Sequence, residues 1–482
     1  MILSDLLRET GIQVPGELAS TEITSIENDS RKVIPGSLFV AIKGFETNGH
    51  LYMQQALDNG AAVVLAEHRS LDDSRVFENP EHDNRKILSM ISARFYDYPW
   101  NELITVGITG TNGKTSTARM LHWILQKHGM QSGIMGTTGH IIGGEEVKAS
   151  MTTPCAPDIA RMMREMVRKH DRCCVMEVSS HALSLSRVED VRFDVALFTN
   201  ITQDHLDYHR SMDDYLNSKI HLFDLVKKNG SSITGTYSEG YPSIDGAVTF
   251  GTRENDSYRV SDIQSETGRI SFRFHTRADS NQVEMNIPGR FNIFNAAGAL
   301  SAAVELGISP ESASEYLRDF PGVPGRFQPV NPGQNFLVAI DYAHTPDALE
   351  RVLAQASELA ENRVIVVFGA GGDRDSTKRP VMGRVAESIA DILVITSDNP
   401  RTEAPDAIIS EIIAGLDRES SRTIIVEPDR RTAIRSAIRL AETGDVVLIA
   451  GKGHEDYQVI GRRKIHFDDR EEAVNALKEV LK

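Results

Sequence analysis

The stretch Leu103-Ile-Thr-Val-Gly-Ile-Thr-Gly-Thr-Asn-Gly-Lys-Thr-Ser116 decides how the rest of the chain is read. Leu103 to Ile108 is a short apolar, β-branched run, the pattern of a buried strand. A glycine turn follows and closes on Lys114-Thr115, and Ala118, Leu121 and Leu125 then recur at helical spacing. Strand, glycine turn and helix are the context of a phosphate-binding loop. Gly110 and Gly113 let backbone N–H groups close around phosphate oxygens, Lys114 neutralises their charge, and the Thr115 hydroxyl reaches a magnesium ion. The spacing departs from GxxxxGK[ST], because only Thr111 and Asn112 separate the two glycines. An ordinary βα turn would need the glycines but not a Lys-Thr pair at the helix start.

Bulk composition narrows the setting. A chain of 482 residues suggests about three domains. With 40% apolar and 25% charged residues it has the make-up of a soluble globular protein. A formal net charge of −16 speaks against nucleic acid or an anionic membrane as partner. Three cysteines (Cys155, Cys173, Cys174) are too few for a disulfide framework, and none sits in a CxxC pattern. No stretch approaches the ~20 apolar residues of a membrane span, and the N-terminus lacks a basic region followed by an apolar core. A reducing cytoplasmic setting is expected.

Upstream, residues 1–98 alternate short strands (37–42, 62–66) with amphipathic helices (51–60, 85–95), a small α/β unit. Within it, Ser30, Arg31 and the turn 44–49 are candidates for a polar, diphosphate-bearing ligand, although composition alone reads them as a surface turn. Downstream, Met151-Thr-Thr-Pro154 offers two adjacent hydroxyls. Cys173-Cys-Val-Met-Glu177 is an apolar strand with a carboxylate near its carboxyl end, where parallel sheets bind ligands. A glutamate buried there needs a partner or a metal, and magnesium suits it. A second strand, 193–200, leads into Asp204-His205-Leu-Asp207-Tyr-His209, a polar strand-end loop. Residues 212–226 have helical spacing, and periodicity alone makes Lys219 a structural lysine whose head snorkels to solvent. Residues 231–288 read as an antiparallel β excursion. Asn292 and Asn295 open a helix running to Leu306, and the Pro- and Gly-rich run 320–329 reads as a linker.

From about residue 331 strands (336–340, 363–368, 392–396, 423–426, 446–450) alternate with helices, which gives a parallel, Rossmann-like sheet. Their ends carry Asp341-Tyr-Ala-His344, Gly369-Ala-Gly-Gly-Asp-Arg374, Asp398-Asn-Pro-Arg401 and Gly451-Lys-Gly-His-Glu455. The glycines do not make GxGxxG, so a dinucleotide site is weakly supported. Two arginines and a glutamate suit an amino acid, with arginine gripping its carboxylate and glutamate pairing with its amine.

Taken together, Thr109-Gly-Thr-Asn-Gly-Lys-Thr115, Glu177-Val-Ser-Ser-His-Ala-Leu183, Asn200-Ile-Thr-Gln-Asp-His-Leu-Asp-Tyr-His209, Asp341-Tyr-Ala-His-Thr-Pro346 and Asp398-Asn-Pro-Arg401 resemble the Mur ligase family, in order along the whole chain. The resemblance implies an α/β protein of three domains. These are a small UDP-binding domain (1–98), a central P-loop ATPase-like parallel-sheet domain (99–329) and a C-terminal, amino-acid-binding Rossmann-like domain (330–482). It implies an ATP-dependent, ADP-forming ligase of peptidoglycan precursor synthesis. The free carboxylate of UDP-N-acetylmuramoyl-L-alanyl-D-glutamate would be phosphorylated, and the amine of meso-diaminopimelate would attack the acyl phosphate.

By matched motif, Gly110, Thr111, Asn112, Gly113, Lys114, Thr115 and Ser116 would hold the ATP phosphates, with Asn295, Arg326 and Asp341 as further ATP contacts. Thr115, Glu177 and His205 would hold Mg2+. Lys219, in a Tyr-x-x-x-Lys-x-x-x-Phe pattern, would be carbamylated by CO2 and join the metal site; Lys114, Lys219 and His205 would be catalytic. Asn28, Ser30, Phe45, Glu46 and Thr47 would contact UDP, and Thr152, Thr153, Ser179 and Arg187 the muramoyl-dipeptide. Arg374, Asp398, Asn399, Pro400, Arg401, Gly451 and Glu455 would bind diaminopimelate; lysine-adding relatives tend to lack an arginine at the 401 position, because lysine has no distal carboxylate. Leu185, Phe45 and Met151 depart from the family's more polar residues. A monomer without nucleic-acid or membrane partners is expected. The competing readings are a lysine-adding homologue, a folylpolyglutamate synthase-like ligase, which usually has glycine where Thr115 stands, and a non-catalytic P-loop switch.

Overall fold

The computed structural model describes residues 1–481 except 45–46, 69–70, 81–82, 207, 266–267 and 418. Phe45 and Glu46 therefore lie outside the described residues. The chain forms two compact units. The first holds residues 1–259, 275–279 and 294–313, and the second holds 260–274, 280–293 and 314–482.

The first unit contains two sheets. The N-terminal one runs β1 (Ser25–Glu27), β2 (Ser37–Val40), β3 (Val63–Ala66) and β4 (Val76–Glu78), in that order and all parallel. Leu38, Val40, Val63 and Leu65 pack on one face against Ile87, Leu88 and Ile91 of the helix Asn84–Phe95. On the other face Phe39 and Val64 meet Met53, Ala56 and Leu57 of the helix Met53–Asp58.

The larger sheet is built on β5 (Ile104–Thr109), β6 (Ser132–Gly136), β7 (Gly139–Ile142), β8 (Glu145–Val147), β9 (Cys173–Glu177), β10 (Phe193–Phe198), β11 (Val226–Gly235), β12 (Val248–Gly251) and β13 (Tyr258–Ser265). The spatial order is β13-β12-β11-β10-β5-β9-β6-β7-β8. Thr105 to Thr109 of β5 and all of β9 are buried, as expected of parallel strands covered on both faces. Register matters most for the site. Ile108 pairs with Glu177 and Phe198 with Thr109, so the ends of β9 and β10 flank the loop after β5.

The antiparallel excursion expected over 231–288 fails for its first part: β11, β12 and β13 extend the sheet in parallel. Their Ser, Thr and Gly content resembles an exposed meander, but Ile233, Phe250 and Tyr258 are buried beneath it. The chain continues through β14 (Ile270–His275) and β15 (Ser280–Met285) to the helix Phe291–Glu305.

The second unit carries β16 (Gln328–Val330), β17 (Leu337–Asp341), β18 (Val364–Phe368), β19 (Ile392–Ile395), β20 (Thr423–Val426) and β21 (Val446–Ala450), ordered β16-β17-β21-β18-β19-β20. All pairs are parallel except β16 with β17. The helices Pro346–Leu359, Lys378–Ile389 and Pro405–Ile413 pack on one face, and Arg430–Leu440 and Asp469–Val480 on the other. A short antiparallel pair, β22 (Tyr457–Ile460) and β23 (Arg463–His466), follows. Among the described residues no helix is long and apolar enough to cross a membrane.

Candidate functional site

The loop between β5 and the helix Lys114–Lys127 requires its glycines. Gly110 has φ +140°, and a Cβ there would lie 2.0 Å from Thr199 Oγ1. Gly113 has φ +82°, and its Cβ would lie 2.3 Å from Asn295 Oδ1, so Asn295 sits directly against the loop. The helix begins at Lys114, so the positive end of its dipole lies where an anion is favoured. Thr111 N–H donates to Asn200 O (2.8 Å) and Asn112 N–H to Asn200 Oδ1 (3.0 Å), pinning the loop from β10's end. Thr115 and Ser116 are buried at the helix start.

Lys114 Nζ donates to the carbonyls of Gly110 and Thr111, both at 2.9 Å. Lys219 Nζ donates to the same Gly110 carbonyl at 2.7 Å. The expectation that Lys219 snorkels is therefore wrong: it is 1% exposed, with its ammonium 4.4 Å from the centre of the Tyr215 ring. The helix Met212–Asp224 turns Tyr215, Lys219 and Leu222 inward together, so the lysine stem follows the apolar stripe without reaching water. Burial, reinforced by Lys114, holds the Lys219 amine well below the usual lysine range. An amine so placed gives up its proton more readily than a free lysine.

Glu177 is 1% exposed and accepts three hydrogen bonds. Oε2 receives the hydroxyls of Thr115 (2.8 Å) and Thr137 (3.0 Å), and Oε1 receives Thr137 N–H (2.8 Å). Hard oxygen donors from a hydroxyl and a carboxylate suit Mg2+, so Thr115 and Glu177 fit that ion. His205 lies on the loop that follows β10. Its ring contacts His181 edge-on at 4.9 Å and Tyr215 at 6.1 Å, and its backbone is left-handed at φ +54°. Among the described residues no three His, Cys, Asp or Glu side chains gather closely enough to hold a metal alone.

Next to the loop, Thr153 Oγ1 donates to Glu177 O (2.8 Å) and accepts from Ser179 N–H (3.0 Å), while Arg187 Nη1 donates to Thr153 O (2.9 Å). Ser179 caps the helix Ser180–Ser184. A cavity of about 440 Å³ is lined by Asn28, Gly44, Thr47 and Arg85 of the N-terminal sheet and by Cys155, His181, Leu185 and Arg187 of the larger one. Its described lining carries two arginines and no carboxylate, in a chain of net charge −16. Of the remaining predicted residues, Ser30 is buried and donates to Gln55 Oε1 (2.8 Å).

In the second unit Asp341 accepts N–H groups from Phe327 and Ala343, each at 2.8 Å, and burial raises its carboxyl against the pull of Arg326. Arg326 lies 5.6 Å from the centre of the Tyr342 ring. Asp398, Asn399, Gly451 and Glu455 come together, with Asn399 Nδ2 donating to Glu455 Oε2 (3.0 Å). Arg401, at φ +50°, donates from Nη1 to Gly372 O (2.6 Å). Pro400 packs its carbonyl on Gly372, and Arg374 is exposed nearby.

Sequence reading missed several side chains in these places. Thr137 lies in a Gly-Thr-Thr-Gly turn at a strand end, a signal that was available. Arg85 and His181 line the cavity, and only the fold brings them there. Lys452, fully buried 3.5 Å from Glu455, sits inside the Gly451–Glu455 motif, and Arg430 pairs with Asp469 thirty-nine positions away.

Comparison with known proteins agrees with this geometry. The Mur ligase middle domain matches residues 108–303, the Mur ligase glutamate ligase domain 325–453, and the Mur ligase family catalytic domain 22–96. The UDP-N-acetylmuramoyl-L-alanyl-D-glutamate–2,6-diaminopimelate ligase of Syntrophomonas wolfei is 43% identical over 493 residues, covering 100% of both chains. That of Clostridium botulinum is 41% identical over 467 residues, covering 95% of this chain and 96% of the relative. A solved structure of a ligase with the same name is 29% identical and superposes with a TM-score of 0.69 over 100% of both chains. The chain belongs to the Mur ligase family.

Proposed function

We propose that this chain joins meso-2,6-diaminopimelate to UDP-N-acetylmuramoyl-L-alanyl-D-glutamate at the expense of ATP, in cytoplasmic peptidoglycan precursor synthesis and as a monomer. The observation that carries the reading is the phosphate loop, where Lys114 and Lys219 converge on one carbonyl beside the buried Glu177. Full-length likeness to ligases bearing that substrate name supports the acceptor and the amino acid. The domain limits we assign are 1–98 for UDP, 99–329 for ATP and 330–482 for the amino acid.

The residues divide the work as follows. Loop N–H groups from Gly110 to Ser116 and the start of the following helix cradle the ATP phosphates, and Lys114 offsets charge on the γ-phosphate. Thr115 and Glu177, with His205 as a further ligand, would hold Mg2+, which would supply neutralisation of the charge on the two anions. Asn28, Thr47 and Arg187, with Thr152, Thr153 and Ser179, orient UDP and the muramoyl-dipeptide so that its glutamyl carboxylate faces the γ-phosphate. That carboxylate displaces ADP and becomes an acyl phosphate. The amine then attacks the acyl carbon, a tetrahedral centre forms, and its collapse expels phosphate. Arg374, Arg401 and the Asp398–Asn399 turn bind the distal carboxylate and ammonium of diaminopimelate, and Glu455 pairs with an amine.

We further propose that Lys219 acts as a carbamate. Its neutral nitrogen adds to the carbon of CO2, one C=O π pair moves to oxygen, and the nitrogen loses a proton. A buried amine becomes an anion directed at the metal site. The low proton affinity imposed by burial supports this step.

The test is the mass of the product. With ATP, Mg2+, UDP-N-acetylmuramoyl-L-alanyl-D-glutamate and meso-diaminopimelate, one amide-linked adduct is expected, formed only when all four are present. Absence of the adduct with all four present refutes the ligase, and a phosphorylated nucleotide turnover independent of the acceptor points to a P-loop switch.

A further inference from the structure

We infer that Thr137 is a positioning residue that fixes the Glu177 carboxylate and ties it to the Thr152 hydroxyl; the inference rests on the ligase reading above. Register brings it there. Met135 of β6 pairs with Met176 of β9, so the turn after Gly136 lies against the end of β9. Gly136 is forced by the same closeness, since a Cβ on it would lie 2.2 Å from Glu177 Oε1. Thr137 then grips the carboxylate twice, through its N–H to Oε1 (2.8 Å) and its hydroxyl to Oε2 (3.0 Å).

Proton counting orders the rest. An ionised carboxylate only accepts, so the single Thr137 hydroxyl proton goes to Glu177. The contact between Thr137 Oγ1 and Thr152 Oγ1 (3.1 Å) is then donated by Thr152. A directed chain runs Thr152 to Thr137 to Glu177, joining the hydroxyl loop of the acceptor side to the carboxylate of the nucleotide side. Oε2 has two lone pairs, taken here by Thr115 and Thr137. When the Thr115 hydroxyl turns to the nucleotide, Thr137 is the side chain that still holds Glu177. The turn is itself braced, because Arg119 on the phosphate-loop helix donates from Nε (3.1 Å) and Nη2 (2.9 Å) to Thr138 Oγ1.

The experiment compares Thr137→Val, which keeps the shape and the N–H but removes the hydroxyl, with Thr137→Ser, which restores the hydroxyl. Kinetics of phosphate release are combined with calorimetry of ADP binding with and without Mg2+. For Thr137→Val the expected result is a kcat at least tenfold lower and a several-fold smaller enhancement of ADP affinity by Mg2+, with ADP affinity in the absence of Mg2+ unchanged. Thr137→Ser is expected within threefold of wild type on each measure. Wild-type kcat and Mg2+ enhancement in Thr137→Val overturn the proposal, as does equal impairment of both variants, which would assign the effect to side-chain bulk. A wild-type protein without acceptor-dependent turnover refutes the ligase reading instead, while the Mg2+ effect on ADP binding still reports on Thr137.

Discussion

Two parallel sheets end in charged loops, and they carry their charge in opposite ways. At the ends of β5, β9 and β10, Lys114 and Lys219 both point at the Gly110 carbonyl, and no described carboxylate lies within ion-pair distance of Lys219. At the ends of β17, β18, β19 and β21 several charges are already paired. Arg430 and Asp469 form a fully buried two-pronged pair, Arg379 binds Glu403 and Glu411, and Lys452 lies 3.5 Å from Glu455 and 3.9 Å from Asp398. Burial lowers Lys452 and raises Asp398, each softening the cost of holding the pair. A buried cation without an anion is costly, and a buried matched set is less so. On the proposed reading, an incoming polyanion or a carboxylate added to Lys219 would complete the first site. The second offers fixed positive and negative groups to a ligand that carries both.

The largest expected effect tests the first site. Lys114→Ala should lower kcat/KM for ATP about 10²–10³-fold, the typical loss of one preorganised charged donor. A loss below tenfold would place the γ-phosphate elsewhere. Lys219→Ala comes next: phosphate release should fall about 10²-fold, and added formate or acetate should restore part of it, because a short carboxylate can take the place of the carbamate. Unchanged activity in the variant would exclude the carbamate role. Arg401→Ala sharpens the contrast from the other side. Loss of a charged hydrogen bond of roughly 2 kcal/mol should raise the diaminopimelate KM about 30-fold and leave the ATP KM unchanged. Parallel rises in both would break the division between the two sites.

The smallest effect is one of stability, and it concerns a charge cluster elsewhere in the first unit. Glu27 on β1 is buried, 3.5 Å from Arg161, and Asp158 nearby binds both Arg161 and Lys32. Burial, partly opposed by Arg161, lifts the Glu27 carboxyl to about 7. Its folded pKa lies above its unfolded one, so the native state takes the proton first as pH falls from about 7 toward 4.5, and the penalty for the ionised form is present in full above that window. Glu27→Gln should therefore stabilise the protein by about 1–2 kcal/mol at pH 8, the burial penalty less the Arg161 contact it gives up, and by nothing near pH 4.5. Urea melts at the two pH values measure it, and an equal change at both would remove the titration from the account.

Much of the first site could be read from residue order, because the phosphate loop is local: strand, glycines, lysine and helix lie within fourteen consecutive positions from Leu103 to Ser116. The strands β20 and β21 were likewise legible, since Thr423–Val426 is β-branched throughout and Val446–Ala450 is an unbroken apolar run. What periodicity misread was context supplied by distant chain. Lys219 looks like a snorkelling lysine until the loop carbonyl one hundred and nine residues earlier receives it. The parallel run of β11 to β13 looks like a meander because its surface residues are polar, while its direction is set by pairing along β10. Arg430 and Asp469 give no local sign of each other, and Arg85 reaches the cavity only because the N-terminal sheet faces Arg187.

The most direct measurement of the central claim is phosphate release from ATP with UDP-N-acetylmuramoyl-L-alanyl-D-glutamate as acceptor, comparing meso-diaminopimelate with L-lysine. Turnover with diaminopimelate and a kcat/KM at least tenfold lower with lysine is the predicted result, because Arg401 and Arg374 have no distal carboxylate to hold in lysine. Equal or better turnover with lysine would contradict the assignment of the amino acid, and no turnover with either would contradict the ligase itself.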